Sequence, residues 1–168
     1  MNPRALRAAG PAILVVVALA TMTWALVFGG GAAPFAIGDP GPIVRWALPT
    51  VTLVVNLTAA GMVGALVTAL FTLRAGEREF DAALDAASIS AALFTVAAAA
   101  TGFLTFVNAF NPTVGLGAEF GAQLGRFLVE TESGRTWLIT AVAGAAITVL
   151  TFAVRDRSGA AHPTSTSC

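Results

Sequence analysis

The sequence predicts an all-α integral membrane protein, a four-helix bundle with both termini cytoplasmic and a short interfacial helix on the outer face. Three observations predict it. Of 168 residues, 57% are apolar and 11% charged, whereas a soluble domain carries about 25% charged residues; the mean hydropathy is +0.82. Four runs free of ionisable side chains each approach or exceed the roughly 20 residues that span a bilayer as a helix. The arginines and tryptophans are distributed unequally about the ends of those runs.

The first span, about residues 11–28, reads PAILVVVALATMTWALVF. Arg4 and Arg7 before it and GGGAA after it have the order of a secretory signal. The apolar run is longer than the usual signal core of about 7–15 residues, so it reads as a retained span. Cleavage is the alternative, and it would leave three spans with the amino terminus outside. Gly29 to Trp46 is rich in glycine and proline and is expected to be a turn-rich outer loop. The second span, 47–73, is long enough to tilt or to extend beyond the hydrocarbon. Acidic residues between Glu77 and Asp85 precede the third span, 86–110, and complement a helix amino terminus, so that helix is expected to begin near Glu77.

Between Asn111-Pro112 and Arg135 no long apolar run occurs, yet a structureless loop of that length would be unusual. Leu116, Phe120, Leu124, Phe127 and Leu128 follow helical spacing, with Glu119, Gln123, Arg126 and Glu130 elsewhere around the helix. This predicts an interfacial helix over Leu116 to Glu130. Gly117, Gly121 and Gly125 form a second stripe; each costs a helix about 1 kcal/mol relative to Ala, and close packing on the bundle or a partner would compensate. An irregular glycine-rich loop is the alternative. The fourth span covers 136–154, which makes 1–157 a membrane domain and 158–168, SGAAHPTSTSC, a disordered cytoplasmic tail.

Orientation follows from charge. Arg4, Arg7, Arg74, Arg78, Arg155 and Arg157 lie on one side, and Arg45, Arg126 and Arg135 on the other. Cytoplasmic flanks retain positive charge, so both termini are expected inside. Trp24, Trp46 and Trp137 then all fall near the outer interface, where an amphipathic indole is favoured.

Several function classes are excluded. The formal net charge is zero, which leaves no basic field for nucleic acid. The one His and one Cys, His162 and Cys168, both lie in the tail, so an intrachain disulfide, a Cys/His zinc site and a haem held by two histidines cannot form. Asp39, Glu119, Glu130 and Glu132 supply carboxylates outside, but no nucleophile and base accompany them at a recognisable spacing, so an enzyme is not expected.

The polar residues in the spans are Asn56, Asn108 and a scatter of Ser and Thr. Asn56 needs a partner in hydrocarbon: an interhelical hydrogen bond is one reading, the lining of a permeation path the other. Gly61, Gly64 and Gly102 pair with Ala65, Ala60 and Ala98 at the four-residue spacing that lets helices approach closely. Copper(I) favours thioether and thiolate ligands. Met22 and Met62 are the candidates within the spans, at depths of about 9 and about 22 Å by helical rise, too far apart for one site. Otherwise they fill the core.

A set of short motifs resembles the copper resistance D (CopD) family. They are Gly38-Asp39-Pro40-Gly41 leading to Val44-Arg45-Trp46, then Asn56-Leu57-Thr58-Ala59-Ala60 with Gly64, and Glu132-Ser133-Gly134-Arg135-Thr136-Trp137-Leu138. Over about residues 10–155 the chain is most similar to the amino-terminal part of actinobacterial forms, in which a CopD-like region is fused to a CtaG-type cytochrome c oxidase assembly domain. The resemblance implies a bacterial plasma-membrane protein that assists copper import or copper delivery towards the oxidase, with copper as a transported ion. Those members continue into further spans, and their copper-handling histidines have no counterpart here. The chain therefore reads as a truncated or divergent member, and no metal ligand carries over. The partners expected are the lipid bilayer and another membrane protein or a second copy. The rival reading is a structural or assembly subunit of a respiratory membrane complex that binds no metal.

Overall fold

A computed structural model describes residues 3–34, 36, 38–71, 78–112 and 117–160. It contains five helices: α1 (Pro3–Phe28), α2 (Pro42–Phe71), α3 (Arg78–Phe110), α4 (Ala118–Glu130) and α5 (Glu132–Ala160). Four of them include a stretch long and apolar enough to cross a membrane: Ala9–Phe28, Pro42–Phe71, Ala82–Phe110 and Glu132–Ala153. Arg74, Leu116, His162 and Cys168 lie outside the described residues.

Helix α3 is the centre of the bundle, packing against α2 on one side and α5 on the other, while α1 packs sparsely, against α2. Composition explains its place. Ala87, Ala91, Ala97, Ala98 and Gly102 are buried on α3 and keep its surface low. Apolar side chains gain little from leaving lipid for protein, so close van der Waals approach decides which helices associate. At Gly61 an added Cβ would lie 3.1 Å from Ser90 Oγ of α3; at Gly102 it would lie 3.0 Å from Trp137 Cβ of α5. Gly144 of α5 meets α3 more tightly, with Thr95 Oγ1 at 2.7 Å and Phe94 Cδ1 at 2.9 Å from such a Cβ.

Most hydroxyls donate within their own helix, and Thr95 of α3 also meets Thr148 of α5 at 3.5 Å. Thr21, Thr23, Thr58, Thr68, Ser88, Thr101 and Thr140 each donate to the carbonyl four residues back, at 2.7–2.8 Å. This bond satisfies a hydroxyl inside hydrocarbon without a partner helix.

Three boundaries differ from those read off the sequence. Helix α2 begins at Pro42 rather than near Ala47, so the preceding loop is shorter than Gly29 to Trp46. Proline is suited to the first helical turn, where its missing N–H would have no helical acceptor. Helix α5 begins at Glu132, four residues before Thr136, and ends at Ala160, so Ser158 and Gly159 extend the helix. A helix once nucleated can continue through charged and small residues at modest cost; hydropathy marks the membrane-compatible stretch, not the helix. Helix α3 starts at Arg78, beside the expected Glu77.

Candidate functional site at the α4 end of the bundle

The two connections at one end of the bundle, α1 to α2 and α3 to α5, carry the polar and aromatic residues that could act. Asp39 organises the first. Its Oδ1 accepts the Gly41 N–H at 3.2 Å and its Oδ2 accepts Arg45 Nη1 at 2.5 Å. Gly41 has φ +90°, a left-handed conformation that strains any residue with a Cβ, and it turns the chain into α2. Its carbonyl accepts the Arg45 N–H at 3.2 Å. The Arg45 side chain is only 10% exposed and that of Asp39 31%, and Arg45 Nε is buried without a partner. Pairing across one helical turn leaves the loop electrically neutral where it meets the membrane surface, which lowers the cost of holding an arginine there.

The loop is also tied to α3. That helix ends at Phe110; Asn111 follows with φ +41° and Pro112 prevents continuation. Asn111 Nδ2 donates to the Asp39 carbonyl at 3.5 Å. Val44 of α2 packs with Phe106 and Val107 of α3 and Phe127 of α4 in one buried cluster. Phe106 is fully buried, with ring centroids 5.6 Å from Phe120 and 5.5 Å from Phe127; Phe110 lies 5.9 Å from Phe127. Aromatic pairs of this geometry add about 0.5–1.5 kcal/mol each beyond the area they bury.

Thr131 joins α4 to α5. Its N–H and hydroxyl both donate to the Phe127 carbonyl, at 3.2 and 2.7 Å, closing α4. Its Oγ1 accepts the Gly134 N–H at 3.0 Å and its carbonyl accepts the Arg135 N–H at 3.0 Å, opening α5. The corner needs glycine: a Cβ on Gly134 would overlap the Phe127 carbonyl and lie 2.9 Å from Leu128 Cα. Beneath it, between α3, α4 and α5, is a cavity of about 160 Å³ lined by Ala98, Ala99, Gly102, Phe103, Leu124, Leu128, Trp137, Leu138 and Ala141. An apolar lining of this kind suits hydrocarbon and holds no group for acid, base or nucleophilic work.

The residues singled out from the sequence fall as follows. Trp24, Trp46 and Trp137 all lie near helix ends on the α4 side. Trp24 is 67% exposed and stacks on Phe28 with centroids 4.1 Å apart. Trp137 is half-buried and wedged against Gly102. Helix α4 turns Phe120, Leu124, Phe127 and Leu128 to the bundle. Gly117, Gly121 and Gly125 meet nothing within 4 Å of an added Cβ, and so face away from this chain. Gly64 is likewise open. Met62 is buried on the α3 side of α2, whereas Met22 is half-buried on α1, whose apolar stretch contains no buried residue. Among the described residues no three of His, Cys, Asp and Glu gather. Asn56 and Asn108 are exposed. Glu119, Glu130 and Glu132 are exposed too.

The Asp39–Arg45 pair, Asn111, Thr131 and Gly144 were not found as interacting residues from the sequence. The first had a signal: an acid just before a helix and a base in its first turn. Asn111 to Asp39 joins positions 72 apart in the chain, and no local pattern announces it.

Four apolar helices, with α3 packed between α2 and α5, define a multi-pass membrane protein in contact with lipid. None of the family models, curated proteins or solved structures compared with the chain matches it.

Proposed function

We propose that this is a CopD-like protein of the bacterial plasma membrane, with both termini cytoplasmic, that assists copper import or copper delivery towards cytochrome oxidase beside another membrane protein. One observation carries the reading. The motif residues Gly38 to Trp46 and Glu132 to Leu138 lie at the same end of the bundle, and the fold depends on them there. Asp39 and Arg45 pair across the start of α2, and Gly134 permits the α4–α5 corner. No ionisable side chain lies in the four apolar runs, which argues against a solitary ion carrier and for action with a partner.

The test is accumulation of radioactive copper in cells lacking the gene, with and without this chain. Restored accumulation that is lost in a Met22→Leu/Met62→Leu double variant at matched expression is the expected result. No effect of the chain would overturn copper passage. The rival, an assembly subunit of a respiratory complex that binds no metal, is favoured by the separation of Met22 from Met62 and by the unburied surface of α1. Fixed-stoichiometry co-purification with oxidase subunits, free of copper, would establish it.

A further inference from the structure

Asn56 is residue 15 of the 30 in α2, which places its carboxamide at the middle of a span. The side chain is exposed at the surface of the chain and makes no hydrogen bond. Water does not reach that depth to solvate it, and an unpaired amide in hydrocarbon costs several kcal/mol. The described residues offer it no partner. Val44, Val55, Met62 and Ala69 mark the face of α2 turned to α3, and Asn56 lies well round the helix from them. Helix α1 cannot answer either. Counted from the shared loop, Asn56 is about 21 Å into α2, level with the part of α1 between Pro11 and Ala20, which has no polar side chain. Thr21 and Thr23 lie nearer the loop and donate to their own helix.

We propose that α2 is the surface through which two copies of this chain associate, with the two Asn56 carboxamides hydrogen-bonded to each other across a two-fold axis along the membrane normal. A carboxamide is both donor and acceptor, so it is complementary to its own copy, and such an axis brings each residue of α2 against the same residue of its partner. The surface has the shape for it. Asn56, Ala60, Val63, Val67 and Leu70 follow a 4-3-4-3 spacing and are all exposed, the seam of a left-handed helix pair. Beside them an added Cβ on Gly64 would meet nothing within 4 Å, which leaves room for a second backbone. A single asparagine in such a seam also fixes its register. This inference is independent of copper.

The full chain is labelled and its dimer fraction measured against dilution in vesicles of phosphatidylethanolamine and phosphatidylglycerol. Concentration-dependent dimers are expected, and Asn56→Leu should weaken them about three- to thirtyfold with helix content unchanged. Asn56→Gln, which keeps a carboxamide, should fall nearer to the parent. Because Leu favours lipid, the Asn56→Leu variant is not at risk of failing to insert. In a Cys168→Ser background, oxidation should cross-link Ala60→Cys and Val67→Cys to dimers but not Val55→Cys or Met62→Cys. A monomer at every dilution, dimers indifferent to Asn56→Leu, or cross-links confined to another face or another polypeptide would each overturn the proposal.

Discussion

Helices α1 and α3 are both apolar enough to span a membrane, yet none of the α1 stretch is buried in protein while 39% of the α3 window is. The difference runs opposite to hydropathy. The α1 run Ile13-Leu14-Val15-Val16-Val17 presents branched aliphatic side chains to its surroundings, whereas α3 buries Ala87, Ser88, Ala91, Ala97, Ala98 and Thr101. Lipid accepts bulky aliphatic groups as well as a protein interior does, so such groups give no reason to associate. Small residues do, because they bring backbones close enough for dispersion contacts along a whole helix. In this chain the more hydrophobic helix is therefore the more peripheral one.

Paired substitutions break or sharpen that contrast. The largest effect is expected from Gly134→Ala, because the new methyl meets backbone rather than a movable side chain. A loss of about 3 kcal/mol or more is expected in detergent unfolding, at the top of the range for overpacking. Gly10→Ala in α1, where nothing lies within 4 Å, should instead be neutral or gain about 0.5–1 kcal/mol from helix propensity. Equal effects would remove the distinction between the packed unit and α1.

Ala98→Leu comes next. Ala98 is fully buried and borders the cavity under α4, so part of the added volume is accommodated and a loss of about 1–3 kcal/mol is expected by the same measurement. Ala20→Leu, exposed on α1, should change stability by less than about 0.5 kcal/mol. A comparable loss there would mean that α1 is packed against something.

The smallest of the three concerns the loop between these regions. Arg45→Met removes the partner of Asp39 but keeps much of the buried stem, and should lower stability by about 1 kcal/mol. Asp39→Asn in addition should lower it little further, since the Gly41 N–H retains its acceptor. A double-mutant cycle gives the coupling directly. Additive losses would show that the pair does not fasten the loop.

Much of this architecture is legible in the residues. The four spans follow from uninterrupted apolar length, and α4 from the spacing of Phe120, Leu124, Phe127 and Leu128, which the fold turns to the bundle. Helix ends were less legible, because Pro42 and Glu132 to Arg135 are helical outside the apolar windows. The glycines divide. Gly61 and Gly102 lie at helix contacts, Gly64 and the α4 stripe do not, and Gly144, in tighter contact than Gly61 or Gly102, stood out from its alanine-rich surroundings in no way. A four-residue spacing of small residues says that close approach is possible, not that a neighbour is there.

What the sequence by itself determined is the class of protein. Composition and run length decide solvation in lipid, and solvation is a sum over residues that needs no knowledge of neighbours. Only the tertiary structure decided that α3 is central, that Met62 is buried while Met22 lies apart on α1, that Asp39 and Arg45 pair, and that Asn56 faces outward. Those outcomes depend on which helix faces which, and that is set by shape complementarity among surfaces that are almost equally apolar.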